Sequence, residues 1–282
     1  MSKLVQRLLI FFIGLPVIIG LVFLKMYHQL PLHIVIFVFS VIGSMELYDI
    51  FSKNSPMLPK PLVVTLTAVL PASTYVFILF GLPFSYISWV FMFGALILMG
   101  YEVLTAKTFE HSNTAVALSV FIVFYCGFLI TFISRMTIDD YAVYYIAVFL
   151  FMVFICDSAA WLFGMLFGKN NRGIVSASPN KSAAGFIGGY IGCIGAAVLT
   201  QSLWPSVFPG GLWKSVIFGT LIATSAIVGD LVESVFKRSA NVKDSGFIMP
   251  GRGGVLDSID SVLFSAPVFY VALHLFYGVE LF

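Results

Sequence analysis

Long apolar stretches, separated by short polar segments, dominate the hydrophobic pattern of the chain. Each is long enough to cross the hydrocarbon core of a bilayer, which is about 30 Å thick and requires about 20 helical residues. Because the connection at Gly81 to Pro83 is so short, we expect the third and fourth stretches to form an antiparallel hairpin; a kink there would lower the count by one. The pattern predicts an all-α, polytopic transmembrane protein with about nine helices, near residues 8–24, 30–47, 62–80, 83–100, 115–134, 141–167, 183–203, 213–236 and 260–280.

The composition favours a polytopic membrane protein and excludes a soluble enzyme. Of the 282 residues, 60% are hydrophobic and 10% are charged, and the mean hydropathy is +1.04. Too few polar residues remain to cover a solvated surface of ordinary composition. Cys126, Cys156 and Cys193 lie far apart within apolar stretches, which predicts buried thiols rather than a disulfide or a zinc site. No Ala-x-Ala-like cleavage site follows the first stretch, so we expect a retained helix rather than a signal peptide.

The distribution of basic residues predicts the orientation of the chain in the membrane. With nine helices, all 15 Lys and Arg residues except Lys25, Arg135 and Lys214 fall on the side that holds the N-terminus. Basic residues are enriched in cytoplasmic loops, so we expect a cytoplasmic N-terminus and an external C-terminus. The same rule predicts four cytoplasmic loops, at residues 46–61, 101–114, 169–182 and 237–260.

The first half of the chain, residues 1–134, is interpreted as a scaffold of transmembrane helices. Its charged residues fall at the edges of loops, where such residues are typical of interfacial anchors and topology signals. They include Glu46, Asp49, Lys53, Glu102, Lys107 and Glu110. The contacts of a homodimer, if the chain forms one, are assigned to this half. The catalytic region is assigned to residues 135–282, with the loops 169–182 and 237–260.

Charged residues are concentrated in one stretch, residues 225–260. It contains five of the 13 acidic residues, which are Asp230, Glu233, Asp244, Asp257 and Asp260. It also contains four of the 15 basic residues, which are Lys237, Arg238, Lys243 and Arg252. Such a concentration, in a chain otherwise poor in charge, indicates the chemical centre of the protein.

The spacing within this stretch suits phosphate chemistry. Asp230, Glu233 and Lys237 stand at i, i+3 and i+7, so on a helix they share one face. Asp257 and Asp260 repeat the i, i+3 spacing after a glycine-rich turn. Paired carboxylates bind Mg²⁺, Lys and Arg bind phosphate, and successive glycine N–H groups form anion-binding nests. The combination predicts a metal-assisted phosphoryl- or nucleotidyl-transfer site.

Two features upstream add to this prediction. Asp157 lies 12 residues before Lys169, so on a helix it would be about 18 Å inside the membrane, where ionisable groups are functional or paired. The alternative is a helix-packing hydrogen bond with Ser158. In the following loop, Ser178-Pro179 is predicted to begin a helix whose first turn holds Lys181 and Ser182, a typical phosphate site. The alternative is a basic loop that only sets the topology.

Two landmarks resemble the phosphatidate cytidylyltransferases, also called CDP-diacylglycerol synthases. The more specific landmark reads Ser234-x-Phe236-Lys237-Arg238, then Lys243-Asp244, then Pro250-Gly-x-Gly-Gly-x-x-Asp257-x-x-Asp260. The other reads Ser178-Pro179-x-Lys181-Ser182 and Gly185-x-x-Gly188-Gly189, preceded by Asp157-Ser158-Ala159-Ala160-Trp161. The resemblance covers residues 141 to 270, about half of the chain.

This resemblance implies a reaction, a cofactor and a set of site residues. The family condenses CTP with phosphatidic acid to give CDP-diacylglycerol and pyrophosphate, and it requires Mg²⁺. By position, the metal ligands would be Asp230 and Asp257, with Glu233 and Asp260 as further or outer ligands. The catalytic set would comprise Asp230, Lys237, Lys243, Asp244, Arg252 and Asp257. The residues that bind the substrates would be Asp157, Ser178, Lys181, Ser182, Arg238, Gly253 and Gly254.

Three positions depart from the family pattern. The family usually has His at the position of Arg252, Arg at the position of Ser258, and an acidic residue at the position of Ala184. Local charge is nearly conserved between the first two, so Arg252 could supply the phosphate contact that Ser258 lacks. The alternative is a paralogue with a changed substrate or weakened catalysis.

Two further functions stay open at this point. A CTP-dependent kinase of a lipid alcohol would use similar acidic and basic loops, and it would release CDP rather than pyrophosphate. A lipid or ion transporter would use Asp157, Asp230 and Glu233 as a polar path, but the two halves of the sequence show no repeat symmetry. For the leading function we expect an integral protein of the bacterial inner membrane, an active site facing the cytoplasm, and no nucleic-acid partner.

Overall fold

The chain is helical in a computed structural model that describes residues 14–249, 251 and 253–279. Regular structure in these ranges consists of helices, with two isolated antiparallel bridges, Arg172 to Ser182 and Met249 to Gly253. The α-helices are α1 (Leu15–Phe23), α2 (Leu30–Phe51), α3 (Lys60–Phe80), α4 (Ser85–Thr105), α5 (Ser112–Ile122), α6 (Thr131–Arg135), α7 (Ala142–Phe167), α8 (Ala183–Leu203), α9 (Leu212–Ser239) and α10 (Leu256–Tyr277). A π-helix at Val123–Phe128 follows α5, and a 3₁₀ turn at Met136–Ile138 follows α6.

Eight helical segments of the described chain are long and apolar enough to cross a membrane. They are Leu30–Phe51, Lys60–Phe80, Ser85–Thr105, Ser112–Ile138, Ala142–Phe167, Ala183–Leu203, Leu212–Ser239 and Leu256–Tyr277. They correspond to the second to ninth predicted helices. The first, 8–24, falls partly outside the described residues, and its described part is α1. The prediction of an all-α, multi-pass membrane protein is confirmed.

The chain forms two compact units. The first contains the described residues up to Ile138 together with those of Phe236–Ile259. The second contains Asp139–Val235 and the described residues from Asp260 onward. Helices α9 and α10 therefore contribute residues to both units, and each unit holds part of the charged stretch.

An aromatic cluster forms part of the core of the first unit. Phe236, from the C-terminal end of α9, packs edge-on against Phe51, Phe121 and Tyr125, with ring centroids 5.2, 5.4 and 5.9 Å away. Tyr125 belongs to the π-helix, whose wider turn changes the carbonyl pairing. Ser40 on α2 donates a hydrogen bond of 2.8 Å to the carbonyl of Cys126 in this π-helix. This packing holds the last turns of α9 in place, at the position just before Lys237.

The second unit depends on close packing between α7 and α8. A Cβ atom added at Gly185 would lie 2.9 Å from the carbonyl oxygen of Ala160, and one added at Gly164 would lie 3.7 Å from the Cα of Gly185. Such approaches are available only where one helix presents glycine to the other. Gly164 and Gly185 therefore lie where the two helices approach each other closely.

Candidate active site

In the second unit, the loop of residues 169–182, called the basic loop below, contacts α9 through an ion pair between Lys181 and Asp230. The Lys181 ammonium contacts Oδ2 of Asp230, whose side chain is 36% exposed. Lys181 belongs to one of the two sequence landmarks and Asp230 to the charged stretch 225–260, and they are 49 positions apart. The structure thus brings together a lysine predicted to bind phosphate and a carboxylate predicted to bind metal.

The start of α8 differs from the prediction. Ser178-Pro179 does not begin the helix; instead the N–H of Lys181 donates to the carbonyl of Ser178 across a turn, at 3.0 Å. The helix begins at Ala183, and Ser182 is its N-cap, with an extended backbone and an Oγ that accepts the N–H of Gly185 at 3.1 Å. Serine is a favoured N-cap because its oxygen satisfies a free N–H of the first turn. Lys181 therefore precedes the helix rather than lying in its first turn.

Asn171 ties the basic loop to the start of α8. Its carbonyl accepts the N–H of Ala183 at 3.0 Å, and its side-chain Oδ1 lies 3.4 Å from the N of Ala184. The N–H of Gly173 donates to the carbonyl of Lys181 at 3.1 Å. The loop is therefore folded against the helix end, which restricts the position of Lys181.

Glu233 and Asp260, the other two predicted metal ligands of this unit, lie where α9 and α10 pack. A Cβ atom added at Gly229 would lie 2.9 Å from the carbonyl oxygen of Asp260, and Ser261 Oγ donates to the carbonyl of Ala226 at 3.0 Å. Glu233, one turn after Gly229, has no exposed surface, and Asp260 is also buried. The two helices thus meet at the positions that carry these carboxylates.

In the first unit, Asp257 is the centre of a second network. Its Oδ1 accepts a charge-assisted hydrogen bond of 2.5 Å from Lys237, and its side chain is only 6% exposed. Its Oδ2 accepts the N–H groups of Ser245 and Gly254, both at 2.8 Å. These donors hold the nearly buried carboxylate in one orientation.

The glycine turn is closed on itself. The N–H of Gly253 donates to the carbonyl of Met249 at 3.0 Å, and the N–H of Gly254 donates to Asp257. Gly253 has a φ of +115°, a conformation that favours glycine strongly. In this structure both N–H groups predicted to bind an anion are used within the protein, so their role with substrate stays a prediction.

Glu46 joins this network, although the sequence pattern predicts an interfacial anchor at that position. It lies in α2 and is 7% exposed. Its carboxylate accepts the N–H groups of Val255 and Leu256, at 3.0 and 2.8 Å. The only sign in the sequence is a carboxylate near the end of an apolar stretch, without a basic residue three or four positions away.

The other predicted site residues that the structure describes lie in α7, in the basic loop and around the C-terminal end of α9. Arg238, Lys243 and Asp244 are exposed at the end of α9 and in the loop that follows. Asp157 is half-buried in α7, ten residues before its end. Ser178 is half-buried in the basic loop. Arg252 lies outside the described residues.

The donor atoms of the site are of the kind that Mg²⁺ binds, but within the described part of the chain they do not form a complete metal site. Carboxylate oxygens are the hard ligands that Mg²⁺ prefers, so Asp230, Glu233, Asp257 and Asp260 are suitable in kind. In residues 14–249, 251 and 253–279, however, no three His, Cys, Asp or Glu side chains converge on one point. Asp230 and Asp257 contact lysine ammonium groups instead. A metal at either carboxylate would share or replace that lysine.

Comparison with known proteins identifies the family. A sequence profile described as the Cytidylyltransferase family matches residues 5–276. A Bacillus subtilis protein named phosphatidate cytidylyltransferase is 30% identical over 269 residues, covering 93% of this chain and 96% of that protein. A protein of the same name from Staphylococcus saprophyticus is 36% identical over 177 residues, covering 63% of this chain and 65% of its own length. That last alignment spans slightly less than two thirds of the relative.

A plant protein extends the likeness over a shorter region. Phosphatidate cytidylyltransferase 4, chloroplastic, from Arabidopsis thaliana is 41% identical over 116 residues, which is 40% of this chain and 28% of that protein. The match to the family profile extends well beyond the landmarks and includes most of the N-terminal helices. The resemblance read from residues 141 to 270 is confirmed, and the chain belongs to the cytidylyltransferase family.

Proposed function

We propose that the protein transfers the cytidylyl group of CTP to phosphatidic acid, giving CDP-diacylglycerol and pyrophosphate. The observation that carries this proposal is the alignment with the Bacillus subtilis protein named phosphatidate cytidylyltransferase, which covers 96% of that protein. The two lysine–carboxylate pairs support it, because they provide charged groups of both signs for polyanionic substrates.

The reaction needs no nucleophilic side chain. A phosphate oxygen of phosphatidic acid attacks the α-phosphorus of CTP, forming a P–O bond. The bond from that phosphorus to the bridging oxygen breaks, and pyrophosphate leaves with the electron pair. The protein must therefore reduce the repulsion between two anions, align them and stabilise the leaving group, which positioned charges accomplish.

Lys181 and Lys237 are assigned to phosphate binding. In this structure each ammonium contacts a carboxylate, and a phosphate group of higher charge would compete for it. Lys181 is additionally placed by the loop that folds against the start of α8. Arg238 and Lys243, which are exposed, would contribute to attracting the nucleotide by their charge.

Mg²⁺ is the proposed cofactor. Asp230, with Glu233 and Asp260 from the same compact unit, would hold it. The role of Asp257 as a ligand stays a prediction from the family resemblance. The bound cation would neutralise charge on phosphate oxygens. Support comes from the oxygen-donor chemistry of these residues and from the packing of α9 on α10 at Gly229.

We further propose that the loops 169–182 and 237–260 face the cytoplasm of a bacterial cell and that the protein lies in its inner membrane. The asymmetry of Lys and Arg supports this orientation. CTP would then reach the site from the aqueous side, and phosphatidic acid would reach it from the adjacent leaflet. A homodimer stays a prediction.

The test follows the label of CTP into lipid. Purified protein in detergent receives phosphatidic acid, Mg²⁺ and CTP labelled at either the α- or the γ-phosphate. We expect the α-label in a lipid product and the γ-label in released pyrophosphate. The γ-label in lipid, after addition of a lipid alcohol, would assign a kinase instead.

A variant pair links the reaction to the site. Asp230→Asn should abolish labelling even at saturating Mg²⁺, because an amide lacks the charge of the carboxylate. The matched control is Asp140→Asn, which changes an exposed acidic residue between α6 and α7 and should leave transfer unchanged. Full labelling by Asp230→Asn would contradict the metal assignment.

A further inference from the structure

Glu46 and the start of α10 are joined by hydrogen bonds that span most of the chain. Val255 and Leu256 follow Glu46 by 209 and 210 positions, and their N–H groups donate to its Oε1 and Oε2. The first N–H groups of an α-helix have no partner within the helix. A carboxylate at this end also interacts favourably with the helix dipole. Glu46 is therefore an N-terminal cap for α10, supplied by α2.

The same carboxylate is linked to Asp257 through one hydroxyl. Ser245 Oγ lies 2.9 Å from Oε2 of Glu46 and 3.0 Å from Oδ2 of Asp257. A serine hydroxyl has one proton to donate, so at any moment it serves one of the two carboxylates. The position of Ser245, and with it the orientation of Asp257, therefore depends on Glu46.

Two glycines let the loop close around Glu46. A Cβ atom added at Gly246 would lie 2.5 Å from Oε1 of Glu46 and 3.2 Å from the Cα of Gly254. A Cβ atom added at Gly254 would overlap the other oxygen of the same carboxylate and the Ser245 hydroxyl. Gly254 is thus required by a buried carboxylate of the protein itself, independently of any substrate.

We propose that Glu46 is a positioning residue of the active site. It holds Ser245 and the first turn of α10 so that Asp257 presents Oδ1 towards Lys237. This inference rests on the proposed function, since it assigns Glu46 a part in the same reaction. It concerns a residue of the N-terminal half and requires no contact between Glu46 and the substrates.

The test compares Glu46→Gln with two variants. Glutamine has nearly the same shape, but its NH₂ group would face one of the N–H groups, of Val255 or Leu256, that donate to the carboxylate of Glu46. We expect transfer to fall about 10- to 100-fold, the usual effect of losing a residue that orients a ligand. Glu46→Asp, which keeps the charge, should recover part of the loss. Asp49→Asn, on the same helix but in an exposed pair with Lys60, should match the unchanged protein.

Hydrogen exchange provides a measurement that does not depend on activity. In Glu46→Gln the amides of Val255 and Leu256 should exchange faster, while those in the middle of α8 should not change. If the unchanged protein makes no CDP-diacylglycerol but exchange responds as expected, the proposed function fails and the contact stands. If transfer is present and Glu46→Gln retains it fully, the positioning role is wrong.

A double-mutant cycle covers the case in which Glu46→Gln folds poorly. Ser245→Ala removes the shared hydroxyl and leaves the two backbone bonds of Glu46 in place. Both residues are proposed to act through Asp257. The double variant of Glu46→Asp and Ser245→Ala should therefore lose less transfer activity than the product of the two single losses. Independent, multiplicative losses at equal folded fraction would overturn the proposal.

Discussion

Each of the two lysine–carboxylate pairs places opposite charges at a predicted site, but their surroundings differ. Lys237 and Asp257 are 15% and 6% exposed at their side chains, whereas Lys181 and Asp230 are 24% and 36% exposed. A charge that loses its partner in a buried place is costly, while an exposed charge is solvated by water. The two lysines should therefore be distinguishable by stability, although both are proposed to serve the same reaction.

Replacement of each lysine by methionine separates these effects. Lys181→Met and Lys237→Met should both lower the transfer rate, by about 100- to 1,000-fold, since each removes a positive charge that is proposed to bind phosphate. Lys237→Met should also lower the free energy of unfolding by about 1–3 kcal/mol, because Asp257 keeps its other donors but loses its ion pair. Lys181→Met should cost less than about 1 kcal/mol.

The measurements are α-label transfer and unfolding in a mixed-micelle denaturant titration. Equal losses of stability in the two variants would contradict the difference in burial. A normal transfer rate in either variant would remove that lysine from the proposed site.

At the scale of helices, local patterns predict most spans but not every boundary. The bounds 183–203 of α8 agree with the apolar pattern, because Ser182 supplies a local N-cap. The last helix is predicted from residue 260 yet begins at Leu256. Its cap comes from Glu46 in α2, and no local pattern around residue 256 can reveal a partner 210 positions away.

The glycines of α8 provide a test of helix packing. A Cβ atom added at Gly192 would lie 2.6 Å from the Cβ of Ala159 and 3.2 Å from the carbonyl oxygen of Ile155. A Cβ atom added at Gly195, on the same helix, meets nothing within 4 Å. Gly192→Ala should therefore destabilise the protein by about 1–3 kcal/mol through overpacking.

Gly195→Ala is the matched control. It should be neutral or stabilising by up to about 1 kcal/mol, because alanine favours a helix over glycine. Thermal unfolding in detergent, followed by circular dichroism, measures both variants. A loss of stability in Gly195→Ala as large as that in Gly192→Ala would show that contact with α7 is not the cause.

At the scale of the whole molecule, hydropathy is sufficient to predict the fold class, whereas the proposed function depends on the folded chain and on the family. Hydropathy predicts a multi-pass helical protein without reference to any relative. The pairing of Lys181 with Asp230 requires the folded chain, because nothing in the sequence specifies which lysine of the basic loop meets which carboxylate of the stretch 225–260. The identity of the base and of the lipid depends on family membership alone, since carboxylates, lysines and glycines recognise phosphate rather than cytosine.

The orientation can be measured by labelling single cysteines. Cys126, Cys156 and Cys193 are buried, so a membrane-impermeant maleimide should not reach them in the folded protein. In intact cells, Ser206→Cys, in the exposed loop between α8 and α9, should be labelled. Ser176→Cys, in the exposed basic loop, should be labelled only after the membrane is opened. The reverse pattern would place the proposed site outside the cytoplasm.

Because Glu46 caps α10, the contact also constrains how the protein is synthesised and inserted into the membrane. Ribosomes make Glu46 more than 200 residues before the amides that it binds. A charged carboxylate cannot be held in hydrocarbon without a partner except at high cost. During synthesis it must therefore stay near water or lipid headgroups until α10 enters the membrane. Insertion of α10 brings the surroundings of Asp257 together, so a chain released before α10 would carry the preceding helices but not the proposed site.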